Sequence, residues 1–182
     1  MINSPFYNIS KPNEKKLTIA LLVLLPILIA MMLFFDIPLK NEVAPNGIVS
    51  FELAKELIVS ENILNSWDTH ARTSAGMSMG LDSLFLIIYA SFIALLMHKL
   101  NERVWNNIRV YKLGILLIWG VFLAALFDAI ENIALIQLLL GDLQQSWSSI
   151  AFYFASMKFV LLILGVLFIV ISWIMKIVRK RV

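Results

Sequence analysis

Apolar residues gather along this chain in four long stretches set between polar segments: Leu17 to Phe35, about Met77 to Met97, Leu113 to Leu140 and about Ile150 to Met175. Each reaches the ~20 residues a helix needs to cross a bilayer, and the third and fourth are long enough to tilt or to project past the headgroups. The pattern predicts an all-α membrane protein, a four-helix transmembrane bundle forming a single domain over residues 1–182. The first stretch follows basic residues, as a secretory signal would. It is too long for a typical signal core, however, and Phe34-Phe35-Asp36-Ile37-Pro38 offers no small-residue cleavage site. It reads as a retained helix, kinked at Pro26, where one backbone hydrogen bond is lost.

One segment between the spans is large enough to have structure of its own, about 36–76. Pro38, Pro45 and Gly47 punctuate its start, and Ser50 is placed to cap a short helix through Val59. In that helix Phe51, Ala54, Leu57 and Ile58 share one face, leaving Glu52, Lys55 and Glu56 on the polar side. The pattern restarts at Ser60 with Ile63, Leu64 and Trp67. About 40 residues cannot hold a core of their own. The segment therefore reads as an interfacial helical hairpin, with a lid over the mouth of the bundle as the alternative. Asp68 fits the N-cap of a helix continuing into the second span. His70 and Arg72 beside it read as part of that cap, or else as the rim of a site.

Charge then orients the spans. Eleven of the fifteen Lys and Arg residues fall on one side: Lys11, Lys15 and Lys16, then Lys99, Arg103, Arg109 and Lys112, then Lys176, Arg179, Lys180 and Arg181. The other side has Lys40, Lys55 and Arg72. An excess of Lys and Arg marks the cytoplasmic side, which predicts a multi-pass protein of the plasma (inner) membrane with both termini in the cytoplasm. Trp67 and Trp147 would mark the outer interface, Trp105 and Trp173 the inner one, and His98 reads as a snorkelling residue at the inner end. The net charge of +3 is then a topology signal and not a nucleic-acid footprint. With 60% hydrophobic and 15% charged residues, against roughly 45–50% and 25% in an ordinary globular chain, a soluble reading fails.

The sequence excludes several chemistries. The absence of cysteine removes four-span thiol and disulfide enzymes, and two histidines cannot ligate two haems. No H-E-x-x-H, G-x-S-x-G or P-loop occurs, no cofactor is indicated, and no internal repeat suggests an inverted-repeat transporter.

Ionisable residues inside the spans carry the candidate chemistry, because a charge at bilayer depth costs at least about 2.5 kcal/mol and usually faces a bundle interior. In the third span Gly120, Ala124, Asp128 and Asn132 recur every four residues, with Glu131 three residues from Asp128, so all five share a face. In the fourth, Ala151, Ala155, Lys158, Leu162, Gly165 and Ser172 follow the spacing of a packing seam. Counted from the outer ends at 1.5 Å per residue, Asp128 lies about 18 Å down, Glu131 about 14 Å and Lys158 about 13 Å. Asp82 in the second span would lie above them, with Tyr89 two turns further on. More carboxyls than ammonium groups in one layer mean that a carboxyl is protonated or that a cationic group completes the site. An Asp–Lys pair with an Asn can also serve only to lock helix register. Six polar groups exceed that need. Asp128, Glu131 and Lys158 are therefore the candidate catalytic residues, and Asp82, Tyr89 and Asn132 the candidate ligand-binding ones.

The segments Leu81-Asp82-Ser83-Leu84-Phe85 with Tyr89, and Phe127-Asp128-Ala129-Ile130-Glu131-Asn132, resemble a pattern in small bacterial four-span membrane proteins of uncharacterised activity. That resemblance implies a four-helix fold with an L-D-x-L-F and a D-x-x-E-N element and carries no activity with it. Three functions fit the residues. The first is a membrane-embedded enzyme or binding protein for an amphipathic small molecule of lipid, isoprenoid or quinone type, with Asp128 or Glu131 as general acid or base. The second is a proton- or cation-coupled permease. The third is an accessory subunit of a larger membrane complex. Expected partners are membrane lipids, an amphipathic ligand, and further copies or other membrane chains, with no nucleic acid.

Overall fold

A computed structural model describes residues 3–179. Four helices long and apolar enough to span a membrane make up the bundle: α1 (Lys11–Asp36), α4 (Thr69–Val104), α5 (Ile108–Leu139) and α6 (Gln145–Arg179). Between α1 and α4 lie a single 3₁₀ turn (Ile37–Leu39) and two short helices, α2 (Ile48–Glu52) and α3 (Leu57–Ser66). The long helices overrun the apolar stretches that announced them, because hydropathy marks only the part in hydrocarbon. Polar turns continue α4 to 36 residues, about 54 Å against a hydrocarbon core of ~30 Å. Asp68 caps α4 as expected, its Oδ1 accepting from the Ala71 N–H at 2.7 Å. Asn107 caps α5, and Gly141 at φ 97° ends the turn that returns the chain into α6. Lys180 and Arg181, two of the basic residues used to orient the chain, lie outside the described residues.

Helices α4, α5 and α6 pack on one another and enclose the buried residues, whereas α1 leans on α4. Small residues permit the close approach. Ala124, Ala155, Ala94 and Ala75 are fully buried, and a Cβ on Gly165 would stand 3.2 Å from Val121 Cγ2. The seams read from the sequence are thus the packing faces. Near the N-terminus, Phe6 folds back against His98 and Phe122, with ring centroids 6.0 and 6.4 Å away. His98 is consequently buried rather than snorkelling.

The segment before α4 departs from the single helix expected from Ser50 to Val59. Helix α2 begins at Ile48, with the Ser50 hydroxyl accepting from the Asn46 N–H at 3.0 Å, and it stops at Glu52. Lys55 takes a left-handed φ of 57°, and α3 starts afresh at Leu57. The break lets two differently aimed faces enter one core, which a straight helix could not do. Phe51 and Ala54 come from one side, Ile63, Leu64 and Trp67 from the other, all packing on Leu39, Ala75, Met79, Leu135, Leu138 and Ala151. Ile58, expected inside, is 62% exposed. Trp67 is no interface marker either; it is buried and donates to the Leu39 carbonyl at 2.9 Å. The segment caps the ends of α4, α5 and α6 opposite the basic end and shares their core instead of lying apart as a hairpin.

Candidate functional site

Under this cap the charged residues of three helices meet. Lys158 of α6 stands 2.7 Å from Asp128 Oδ1 and 2.7 Å from Glu131 Oε2, both on α5. The spacing explains the arrangement: Asp128 and Glu131 are one turn apart on the α5 face that the Ala151, Ala155 and Lys158 stripe of α6 packs against. On the far side, the Tyr89 hydroxyl of α4 donates to Asp128 Oδ2 at 2.9 Å. One turn nearer the cap, the Asn132 amide donates to Asp82 Oδ2. All six residues singled out in the sequence are buried. They form two adjoining groups, Tyr89–Asp128–Lys158–Glu131 and Asp82–Asn132.

A seventh member comes from the cap. Glu52, placed by sequence on a solvent-facing side, points inward with its Oε2 3.6 Å from Lys158 Nζ and its side chain only 12% exposed. A helix continuous from Ser50 through Val59 presents residues 51, 54, 57 and 58 on one face and Glu52 on the other, whereas α2 ends at Glu52. The true face is Ile48, Phe51 and Glu52, at the i, i+3, i+4 spacing of a helix that ends there. The Pro45-Asn46-Gly47 turn is the signal that would have set the start correctly, since Gly47 precedes α2 at φ 58°.

Helix α2 is held in place from both ends of the cap. Asp36, the last residue of α1, accepts from the Ile48 N–H at 2.9 Å and pairs with Lys40 at 3.0 Å, and Gly47 lies so close to that carboxylate that a Cβ would collide with it. Beyond α2, Gln145 at the start of α6 accepts from the Leu57 N–H at 2.8 Å and donates to the Lys55 carbonyl at 2.9 Å. Ser60 and Ser148 join their hydroxyls at 2.9 Å. Arg72, a candidate rim residue, instead donates to the carbonyls of Leu64 and Trp67 and fixes the end of α3.

Three carboxyls therefore face one ammonium in a buried layer. Glu131 Oε1 and Glu52 Oε2 have no hydrogen-bond partner among the described residues, and Glu131 Oε2 meets Lys158 through charge without an aligned hydrogen bond. Burial pushes the Glu52 carboxyl above the usual range, an effect Lys158 opposes and the Asp128 charge reinforces. A cavity of about 20 Å³ opens beside the cluster, lined by Met32 of α1, Ile48 and Glu52 of α2, Ser78 and Asp82 of α4 and Asn132 of α5. It has room for about one water molecule. Toward the other end of the bundle the way is filled by Ala90, Ala94, Met97, Ile118, Val121 and Phe168. Among the described residues, no group of three or more His, Cys, Asp or Glu side chains could hold a metal ion. Comparison of the chain with family models, with curated proteins and with solved structures finds no match.

Proposed function

We propose that the protein binds, and at this site can modify, an amphipathic small molecule of lipid, isoprenoid or quinone type, whose polar head meets the buried carboxyls from the outer half of the bilayer. The observation that carries this reading is the set of carboxylate oxygens beside Lys158 that lack hydrogen-bond partners. A register lock requires two or three mutually satisfied groups, and unsatisfied charge in hydrocarbon is costly unless something else completes it. Access runs from the lipid between Met32 and Ile48, and a head larger than one water displaces the Glu52 side chain. Lys158 holds a carboxyl ionised or stabilises developing negative charge, and Asp128 or Glu131 serves as the general acid or base.

Retained small molecules, identified by mass spectrometry after gentle extraction, test the proposal together with Asp82→Asn, Asp128→Asn and Glu131→Gln. At least two of the three variants are expected to keep wild-type thermal stability within a few degrees and to lose the ligand. If all three retain it, or if the wild type carries none and the variants unfold, the cluster is a register lock.

The water-sized cavity favours a second reading, a proton- or cation-coupled permease. The apolar plug of Met97, Ile118, Val121 and Phe168 weighs against it, since a permeant needs a route past that layer. Flux into vesicles that follows a pH gradient would reverse the order of the two readings. In both, the basic end faces the cytoplasm. Single cysteines at Ser146 are then labelled in intact cells by an impermeant thiol reagent, and those at Asn106 are not. The opposite labelling would move the site to the cytoplasmic half.

A further inference from the structure

A groove of about 550 Å³ runs along α5 at the basic end of the bundle, far from the carboxyl cluster. Ile108, Lys112, Ile115, Leu116 and Trp119 line it at the spacing of one helical stripe. Asn3 lies at its deep end, where the Trp119 indole N–H donates to the Asn3 carbonyl at 3.1 Å. From Ile108 to Trp119 the helix rises about 16 Å, close to the depth of one leaflet's hydrocarbon, half of the ~30 Å core. The groove is thus as long as an acyl chain is deep, and Leu116 on its wall is 67% exposed.

Any lipid can fill an apolar groove, so what selects among lipids is the charge at its mouth. Lys112 is exposed and makes no ion pair among the described residues, nor does Arg109 one turn before it. Lys11, Lys40, Lys99 and Lys158, by contrast, each meet a carboxylate. Glu102, the nearest acid, accepts from the hydroxyl of Tyr111, which also lines the groove, and forms no ion pair with Lys112 or Arg109 among the described residues. We infer that the groove is a binding site for an anionic glycerophospholipid of the leaflet at the basic end. One acyl chain lies along Ile115, Leu116 and Trp119, and the phosphate meets Lys112 and Arg109. Unpaired basic side chains just outside the hydrocarbon attract anionic headgroups, and zwitterionic lipids of the same chain length lack that attraction.

The test uses the full chain in neutral detergent, titrated with phosphatidylglycerol or phosphatidylcholine of identical chains and read by native mass spectrometry. The wild type is expected to prefer phosphatidylglycerol about 25-fold, about five-fold for each of the two basic side chains. Lys112→Gln should cut that preference about five-fold, and Lys112→Gln with Arg109→Gln should abolish it while leaving phosphatidylcholine binding unchanged. Leu116→Trp fills the groove and should reduce both lipids. Lys176→Gln, a basic residue of the same end outside the groove, should change neither. Arg109, Lys112 and Leu116 are exposed and Lys176 is half-buried, so the bundle's packing is retained, and a thermal melt of each variant verifies it. Equal binding of the two lipids by the wild type overturns the site. So does a preference that survives the double substitution, or one that Lys176→Gln lowers as much as Lys112→Gln does. None of these outcomes depends on what the carboxyl cluster binds.

Discussion

The two halves of the bundle both bury polar side chains, and they differ in how far the buried charge is balanced. At the basic end the contacts between helices are mostly neutral, the Trp105 indole donating to the Ser172 hydroxyl at 2.9 Å and the Asn101 amide to the Tyr111 carbonyl at 3.0 Å with its own Oδ1 unpartnered, and the buried Glu14 carboxylate is answered by two lysines, Lys99 at 3.2 Å and Lys11 at 3.3 Å. In the capped half, four carboxyls and one ammonium share a layer, and carboxylate oxygens are left over. Register between α4, α5 and α6 is already specified by the neutral contacts and by the small-residue seams. The charged half is therefore not needed for register, and its cost needs another explanation.

Substitution can separate the halves. The largest effect is expected at Lys158→Met, which leaves buried carboxylates without their cation and should destabilise the protein in detergent by about 3–5 kcal/mol. Adding Asp128→Asn or Glu131→Gln to it should recover part of that loss. Strictly additive effects for both combinations in an unfolding titration would mean that the pairs do not interact.

At the basic end the expected loss is smaller and purely structural. Gly114→Ala drives a Cβ into the Asn101 amide and toward Phe168, and should cost about 1–3 kcal/mol in the same titration without releasing any retained ligand. Ligand loss in this variant would show that the two halves are coupled.

Glu52→Gln sharpens the contrast further. It removes a charge that burial disfavours while keeping an amide of the same shape, so stability should change by less than about 1 kcal/mol in either direction. Retained ligand should fall all the same. A large stability loss with unchanged ligand would make Glu52 a clamp for the cap and not part of the site.

The smallest effect concerns pH. Because the folded-state value of Glu52 is raised, the native protein holds a proton there that the unfolded chain has given up. Its contribution to stability is greatest below the ordinary carboxyl range and is lost as pH rises through the raised value. Proteolysis or hydrogen exchange of residues 48–66 should therefore quicken as pH climbs from about 5 upward, and the Glu52→Gln variant should show no such trend. A trend of equal size in that variant would assign the effect to another group.

Much of this architecture is legible in the sequence. The spans follow from length and apolarity, and the seam faces follow from Gly and Ala at four-residue spacing, which is why Asp128, Glu131 and Lys158 could be assigned to one layer. Glu52 was hidden because its direction depends on where a five-residue helix starts and on a backbone break at Lys55, a residue with no preference for a left-handed conformation. The bond from Tyr89 to Asp128 depends on the relative depth of α4 and α5. Rise per residue sets depth along each helix and leaves the offset between two helices open. The burial of His98 under Phe6 involves a contact between a terminal segment and a distant helix, which no local pattern encodes.

Chain order gives the Lys158 centre a further consequence. Glu52, Asp82, Asp128 and Glu131 are all synthesised before the one amine that answers them, whereas α1 has no ionisable residue between Lys16 and Asp36 and can wait in lipid alone. During biosynthesis, then, α5 has to enter the membrane ahead of its counter-charge and settles only when α6 arrives. The last helix made completes the electrostatics of the ones before it, and a nascent chain released before Lys158 would leave α5 poorly held in the bilayer.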